Sequence, residues 1–145
     1  MPELFNRNEM DEMLFEALRT IFTFERTKVA LFNLTYAEIY LLQFLRRKQG
    51  LMMNEVAAEM QIPVSTATRL IGRLEKRGLL SRRKDQGDYR KKKVFLEAAG
   101  QKLVKEVEEH TYQVIAGNLK KYGTGEVDCF INTAVELKHL LLKND

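Results

Sequence analysis

The sequence predicts a mainly α-helical chain that carries one small β-hairpin and is flanked at both ends by long helices. Three observations lead there. Apolar residues recur at helical spacing through most of the 145 residues. Turn-forming Asp and Gly interrupt that pattern once, between two short strand-like runs at 79–83 and 92–96. Charge collects around the same place: between Arg69 and Lys93 there are eleven Lys and Arg against three acidic residues, a net +8. The whole chain carries only +4, so everything outside that window sums to −4. A basic helix joined to a basic hairpin on an otherwise mildly acidic chain is the electrostatic footprint of a nucleic-acid-binding surface.

Composition narrows the classes. Apolar content of 45% and charged content of 30% suit a soluble domain with a core of its own. No apolar run approaches the ~18 residues of a membrane span. The N-terminal MPELFNRNEM lacks the basic-then-apolar pattern of a signal peptide. The single cysteine, Cys129, forbids an internal disulfide and fits a reducing compartment, so the protein reads as cytoplasmic.

Taken in order, residues 8–31 place Met10, Met13, Leu14, Ala17, Leu18, Ile21 and Phe22 at helical spacing. Phe15, Phe22 and Phe24 lie on more than one face, which suggests two packing partners, one of them a second subunit. Thr35-Tyr36-Ala37-Glu38 is a capping box for a second helix ending near Lys48, with Gly50 as its left-handed stop. Ile39, Leu42 and Leu45 are its core positions. A short helix follows over 54–60, with Val56, Ala57 and Met60 inward.

Pro63 stands at the start of the fourth helix, where a missing N–H costs nothing. Ala67, Leu70, Ile71 and Leu74 face inward, and Ser65, Thr66, Thr68, Arg69, Arg73 and Lys76 face out. Gly78 ends it. After the hairpin, 98–122 is a long helix with Leu103, Val104, Val107, Thr111, Val114, Ile115 and Leu119 on one stripe. Thr124 can cap a last helix whose stripe is Val127, Phe130, Ile131, Ala134, Leu137, Leu140 and Leu141. Two short helices and a hairpin make a winged helix-turn-helix. The segmentation is 1–33 for an N-terminal dimerisation helix, 34–97 for the winged domain and 98–145 for C-terminal dimerisation helices.

The second helix of such a pair enters the major groove with its first residues at base edges. Val64, Ser65, Thr66, Thr68, Arg69, Arg73 and Lys76 are the candidate contacts there. Arg69 and Arg73 are long enough for guanine edges or phosphate. In the hairpin, Arg82, Arg83, Arg90, Lys91, Lys92 and Lys93 are the candidate wing contacts. Asp85 and Asp88 would repel phosphate, so their expected work is to fix the loop and aim Arg90 through an Asp–Arg pair. A wing-tip Arg suits a narrow minor groove.

These residues carry a resemblance. Leu34-Thr35, Glu55-Val56-Ala57, Thr68-Arg69-Leu70-Ile71 and Arg73-Leu74-Glu75-Lys76-Arg77-Gly78-Leu79 resemble the multiple antibiotic resistance regulator (MarR) family of bacterial transcription factors. Arg83, Asp85, Asp88, Arg90, Ala99-Gly100 and Leu103 extend the match, and the long terminal helices agree in place and length. The resemblance implies an obligate homodimer, held by the first and last two helices, that binds palindromic operators and usually represses. It also implies release of DNA when a small aromatic anion or an oxidant acts near the lobe junction. Three positions depart from the pattern: Pro63 replaces a capping Ser, Tyr89 replaces a wing Arg, and Glu97 replaces a capping Thr.

The switch is marked less clearly. The first helix has no cysteine for peroxide sensing, and Cys129, beside Phe130 and Ile131, reads as a buried inert thiol. His110 and His139 sit on different helices, so no metal site is expected, and His110 reads as part of a solvated face. Phe22, Phe32, Tyr36 and Tyr40 cluster around the first-to-second helix junction, either as core or as the pocket of a small aromatic inducer. No other cofactor is implied. Enzyme classes lack their motifs: there is no phosphate-binding Gly loop, no H-E-x-x-H and no nucleophile elbow. Two alternatives to a ligand-released repressor remain: a winged-helix protein–protein interaction module and a ligand-independent architectural DNA binder.

Overall fold

The computed structural model describes residues 6–142, so the outermost ends of the first and last predicted segments, 1–5 and 143–145, lie outside the described residues. The elements are α1 (Arg7–Phe32), α2 (Tyr36–Arg47), β1 (Leu51–Met52), α3 (Met53–Met60), α4 (Val64–Lys76), β2 (Leu80–Lys84), β3 (Lys92–Leu96), α5 (Ala98–Leu119) and α6 (Thr124–Leu141). The chain divides into two compact units, one reaching to Val107 and one from Glu108 onward.

In the first unit, local chemistry sets each boundary. Asn6 caps α1 by accepting from the Glu9 N–H at 2.9 Å, and Glu9 accepts from the Asn6 N–H in return. Asn33 ends α1 in the left-handed region, φ 52°, a conformation Asn tolerates better than most residues. The expected capping box opens α2: Thr35 Oγ1 accepts from the Glu38 N–H and Glu38 Oε2 accepts from the Thr35 N–H at 2.9 Å. Gly50 takes the predicted positive φ, 76°, and its N–H donates to Val94 O at 2.9 Å.

That bond belongs to a strand absent from the sequence reading. β1 pairs antiparallel with β3, Leu51 opposite Val94, and the sheet order is β1-β3-β2. The hairpin of β2 and β3 is in the expected place, with Leu80 opposite Leu96 and Lys84 opposite Lys92. The core lies between α2, α3, α4 and this sheet. Ile39, Leu42, Leu45, Val56, Ala57, Ala67, Leu70, Ile71 and Leu74 are all buried, as their spacing predicts. Each large aliphatic side chain removed from water contributes about 1.5–3 kcal/mol. Val104 and Val107 close the core from the first turns of α5. Gly100 makes that closure possible: a Cβ there would collide with the Leu79 carbonyl oxygen, which already accepts from the Glu97 N–H.

In the second unit, α6 begins one residue earlier than expected. Gly123, not Thr124, is its N-cap residue, and the Gly123 N–H donates to Glu126 Oε2 at 2.9 Å. Tyr122 and Phe130 meet edge to face with ring centroids 5.2 Å apart. α5 stops at Leu119, three residues short of its predicted end. The α6 stripe is exposed: Phe130 49%, Ile131 55%, Leu140 76%, Leu141 55%; Val135, outside the predicted stripe, is 61% exposed as well. Cys129 is exposed with it, which corrects the buried-thiol expectation. Apolar spacing identifies the packing face of a helix but does not say whether the partner lies in the same chain. α1 repeats the pattern in the first unit, with Met13, Leu18, Ile21 and Phe22 all more than half exposed.

Candidate nucleic-acid interface

α4 divides cleanly into two faces. Ala67, Leu70, Ile71 and Leu74 are buried; Val64, Ser65, Thr68, Arg69, Arg73 and Lys76 are exposed, and Thr66 is half-buried. Pro63 is the N-cap and provides no side-chain acceptor, so the first-turn N–H groups stay open to a ligand. Thr68 Oγ1 donates to Val64 O at 2.8 Å, which fixes its rotamer and leaves its lone pairs available.

Arg73 of α4 and its C-cap residue Arg77 anchor the helix to the α1–α2 corner. Glu38 is buried, and its Oε1 lies 3.5 Å from Arg73 Nε and its Oε2 4.0 Å from Arg77 Nη1. Arg77 Nη1 also donates to Asn33 O at 2.9 Å. Arg73 remains 62% exposed, so one carboxylate contact does not withdraw it from the surface.

The wing sorts its charges in a way the sequence did not reveal. Arg82 is held by Glu75 through three bonds: backbone N–H to Oε2 at 3.1 Å, Nε to Oε2 at 3.2 Å and Nη2 to Oε1 at 2.8 Å. The hydrogen bond to Arg82 holds the Glu75 carboxyl below its ordinary range. Arg82 is therefore a strut between the last turn of α4 and β2 rather than a free phosphate ligand. The side chains are 27% and 35% exposed, so solvent screening keeps the contribution modest. Arg82→Ala is expected to lower unfolding free energy by about 1 kcal/mol, read by urea denaturation. An unchanged midpoint and slope would mean that the strut is idle.

Arg83 lies 4.7 Å from the Phe95 ring centroid and 3.4 Å from Glu97 Oε1. The expected Asp–Arg90 side-chain pair takes another form. Asp88 Oδ1 accepts from the Arg90 backbone N–H at 3.0 Å, and Asp85 Oδ1 pairs with Lys93 Nζ at 3.5 Å. Asp88 shapes the turn through its backbone, because a short carboxylate reaches the nearest N–H first, whereas Asp85 pairs with a side chain of β3. Arg90, Lys91 and Lys92 are left exposed, as is Tyr89 at 77%.

These pieces converge on one groove. A cavity of about 310 Å³ is lined by Met52, Met53, Asn54, Val64, Arg90, Lys91 and Lys92. It joins the start of α4 to the wing. Met52, Met53 and Asn54 are the lining residues that sequence reasoning missed; of these, Asn54 is polar and exposed at the start of α3. Its signal was positional, since the first helix of a helix-turn-helix pair crosses the phosphate backbone.

The four aromatics of the inducer reading do not form one pocket. Phe22 and Tyr36 line a cavity of about 330 Å³ between α1 and α2, with Leu18, Ile21, Val29, Glu25 and Arg26. Tyr36 and Tyr40 line a second cavity against α3. Phe32 is half-buried against the core and lines neither. Phe22, Tyr36 and Tyr40 are 61%, 59% and 39% exposed, so they are not core. His110 is half-buried rather than solvated. Among the described residues, no group of three or more His, Cys, Asp or Glu is placed to hold a metal, and no helix is long and apolar enough to cross a membrane.

Comparison with known proteins agrees with this geometry. The model of the MarR family matches residues 32–91. The chain is 26% identical over 98 residues to the HTH-type transcriptional regulator YsmB of Bacillus subtilis (strain 168), covering 68% of this chain and 67% of that one. A MarR family protein from Bacillus stearothermophilus superposes with a TM-score of 0.83 at 23% identity, over 94% of this chain and 95% of the other. Streptococcus pneumoniae FabT, solved in complex with DNA, superposes with a TM-score of 0.79 at 14% identity, over 94% and 97%. The fold is a winged helix-turn-helix with long flanking helices, as in these superposed structures. The likeness to the MarR family is carried by residues 32–91, and the superposed structures share the fold of the chain.

Proposed function

We propose that the chain is a cytoplasmic homodimeric repressor that binds palindromic operators and releases them when a small ligand occupies the α1–α2 junction. The observation that carries the DNA reading is the groove in which Arg90, Lys91 and Lys92 meet the start of α4. Ser65, Thr68 and Arg69 are the base readers; Lys76, Lys91, Lys92 and Asn54 hold phosphate. Support for a dimer comes from the exposed apolar faces of α1 and α6. Support for a ligand comes from the cavities beside Tyr36. Two recognition helices in a two-fold dimer reach successive major grooves about 34 Å apart, so the operator is an inverted repeat with half-sites about one turn apart.

A mobility-shift assay tests this, first with random duplex and then with fragments selected from genomic DNA. A docking module would shift neither. Arg90→Ala is expected to weaken binding to selected fragments about tenfold while leaving the dimer intact by light scattering. If Arg90→Ala binds like wild type, the wing is not a DNA contact. Replacing Thr68 or Arg69 is expected to relax sequence preference more than replacing Lys92.

A further inference from the structure

The groove between α2 and the α3–α4 turn has a chemistry opposite to that of the DNA face. Its volume is about 380 Å³, and its walls include Tyr36, Tyr40, Glu59, Met60 and Ile62. Glu59 is the only Asp, Glu, Lys or Arg among the lining residues, in a unit whose 69–93 window carries +8. Tyr36 and Tyr40 are four residues apart on α2, so their rings share one face. Both remain exposed in the folded chain. The Tyr40 ring stacks on Phe44 with centroids 6.4 Å apart and planes 9° from parallel, and its hydroxyl donates to Glu59 Oε1 at 2.8 Å. One ring is thus fixed, and the carboxylate is held beside it.

Two aromatic side chains next to one carboxylate, with a thioether and an aliphatic side chain in the same lining, match the recognition needs of an organic cation. Ring quadrupoles attract a soft positive centre, the carboxylate adds charge, and Met60 and Ile62 take the apolar body. An anion would find no countercharge. The neighbouring α1–α2 cavity differs, because Glu25 and Arg26 both line it. We propose that the α2–α3 groove binds a monovalent quaternary ammonium or similarly soft organic cation with an apolar or aromatic body.

The groove also touches the segment that sets where the recognition helix begins. Gln61 lines it in the left-handed region, φ 54°, and Pro63, two residues on, is the α4 N-cap. As an effector site it rests on the ligand reading above but moves the ligand from the α1–α2 junction to the α2–α3 groove; as a binding site it stands without DNA.

Isothermal titration of the full-length chain with benzyltrimethylammonium, and with benzoate as a charge-reversed partner of similar size, tests the site. The cation is expected to bind with a Kd of a few millimolar or tighter, and benzoate to give no saturable heat. Glu59→Gln and Tyr40→Leu are each expected to lower cation affinity about tenfold, with Tyr40→Phe within about threefold of wild type because the ring persists. Circular dichroism verifies the fold of each variant. Absence of cation binding, equal binding of benzoate, or an affinity indifferent to both Glu59→Gln and Tyr40→Leu overturns the site. Adding the cation to a preformed DNA complex separates the two readings: release supports an effector role, and binding without release overturns that role while the site stands.

Discussion

Affinity for duplex DNA is expected to fall about 10³–10⁵-fold as monovalent salt rises from about 50 to about 200 mM, because a dimer that neutralises about 6–10 phosphates releases as many condensed counterions. On the proposed reading, the exposed cations carry that slope. Lys76, Lys84, Arg90, Lys91 and Lys92 are exposed, whereas Arg82 is bonded to Glu75 and Lys93 lies beside Asp85. Lys92→Ala should therefore flatten the slope of log affinity against log salt by about 2 in a dimer, one contact per copy. Arg82→Ala should leave the slope close to wild type, since that guanidinium neutralises a carboxylate of its own chain. A flat titration of the wild-type protein would sink the DNA reading. A slope that falls equally for Arg82→Ala and Lys92→Ala would sink the division of the wing charges.

That division shows where sequence reading stops. The buried face of α4 was legible because Ala67, Leu70, Ile71 and Leu74 obey a local period, and the hairpin because turn formers separate two short runs. Sequence spacing also put the capping box of α2 in place, since its hydrogen bonds span three residues. The Glu75–Arg82 strut was not legible, because it depends on β2 returning beside the last turn of α4. The Arg73 and Arg77 anchors to the α1–α2 corner were hidden for the same reason: Arg77 reaches back to Asn33, 44 residues away. β1 is only two residues long and runs directly into α3, too short to show alternation. For the aromatics, spacing placed Tyr36 and Tyr40 on one face but did not show that the face stays wet. Cys129 failed similarly, because an apolar neighbourhood in sequence does not guarantee burial inside one chain.

Charged substitutions on the exposed apolar stripes are expected to abolish high-affinity operator binding without touching any DNA contact. Leu18 on α1 and Ile131 and Val135 on α6 are 64%, 55% and 61% exposed. Stripes of this length left in water are a feature of interaction surfaces rather than of monomer surfaces. A second copy would cover them with the same residues, as two-fold symmetry requires. A Glu at Leu18 or Ile131 would then bring an unpaired carboxylate into an apolar contact in both copies at once, at a cost of several kcal/mol per assembly. None of the three belongs to the buried core cluster, so helix content is expected to survive in the separated chains. Two linked recognition helices bind an inverted repeat about 10²–10⁴-fold more tightly than one, and that factor disappears with the dimer. Leu18→Glu and Ile131→Glu are therefore expected to run at the monomer mass by light scattering and to lose about 10²–10⁴-fold in operator affinity. Weak half-site binding, still sensitive to salt, should persist. If both variants stay dimeric at micromolar concentration, the apolar faces of α1 and α6 are not the interface. If they become monomeric yet bind the full operator like wild type, the paired-helix geometry is wrong. The salt slope separates these outcomes from a direct loss of DNA contacts: a monomer keeps every cation of its own wing, so its slope should be about half that of the dimer.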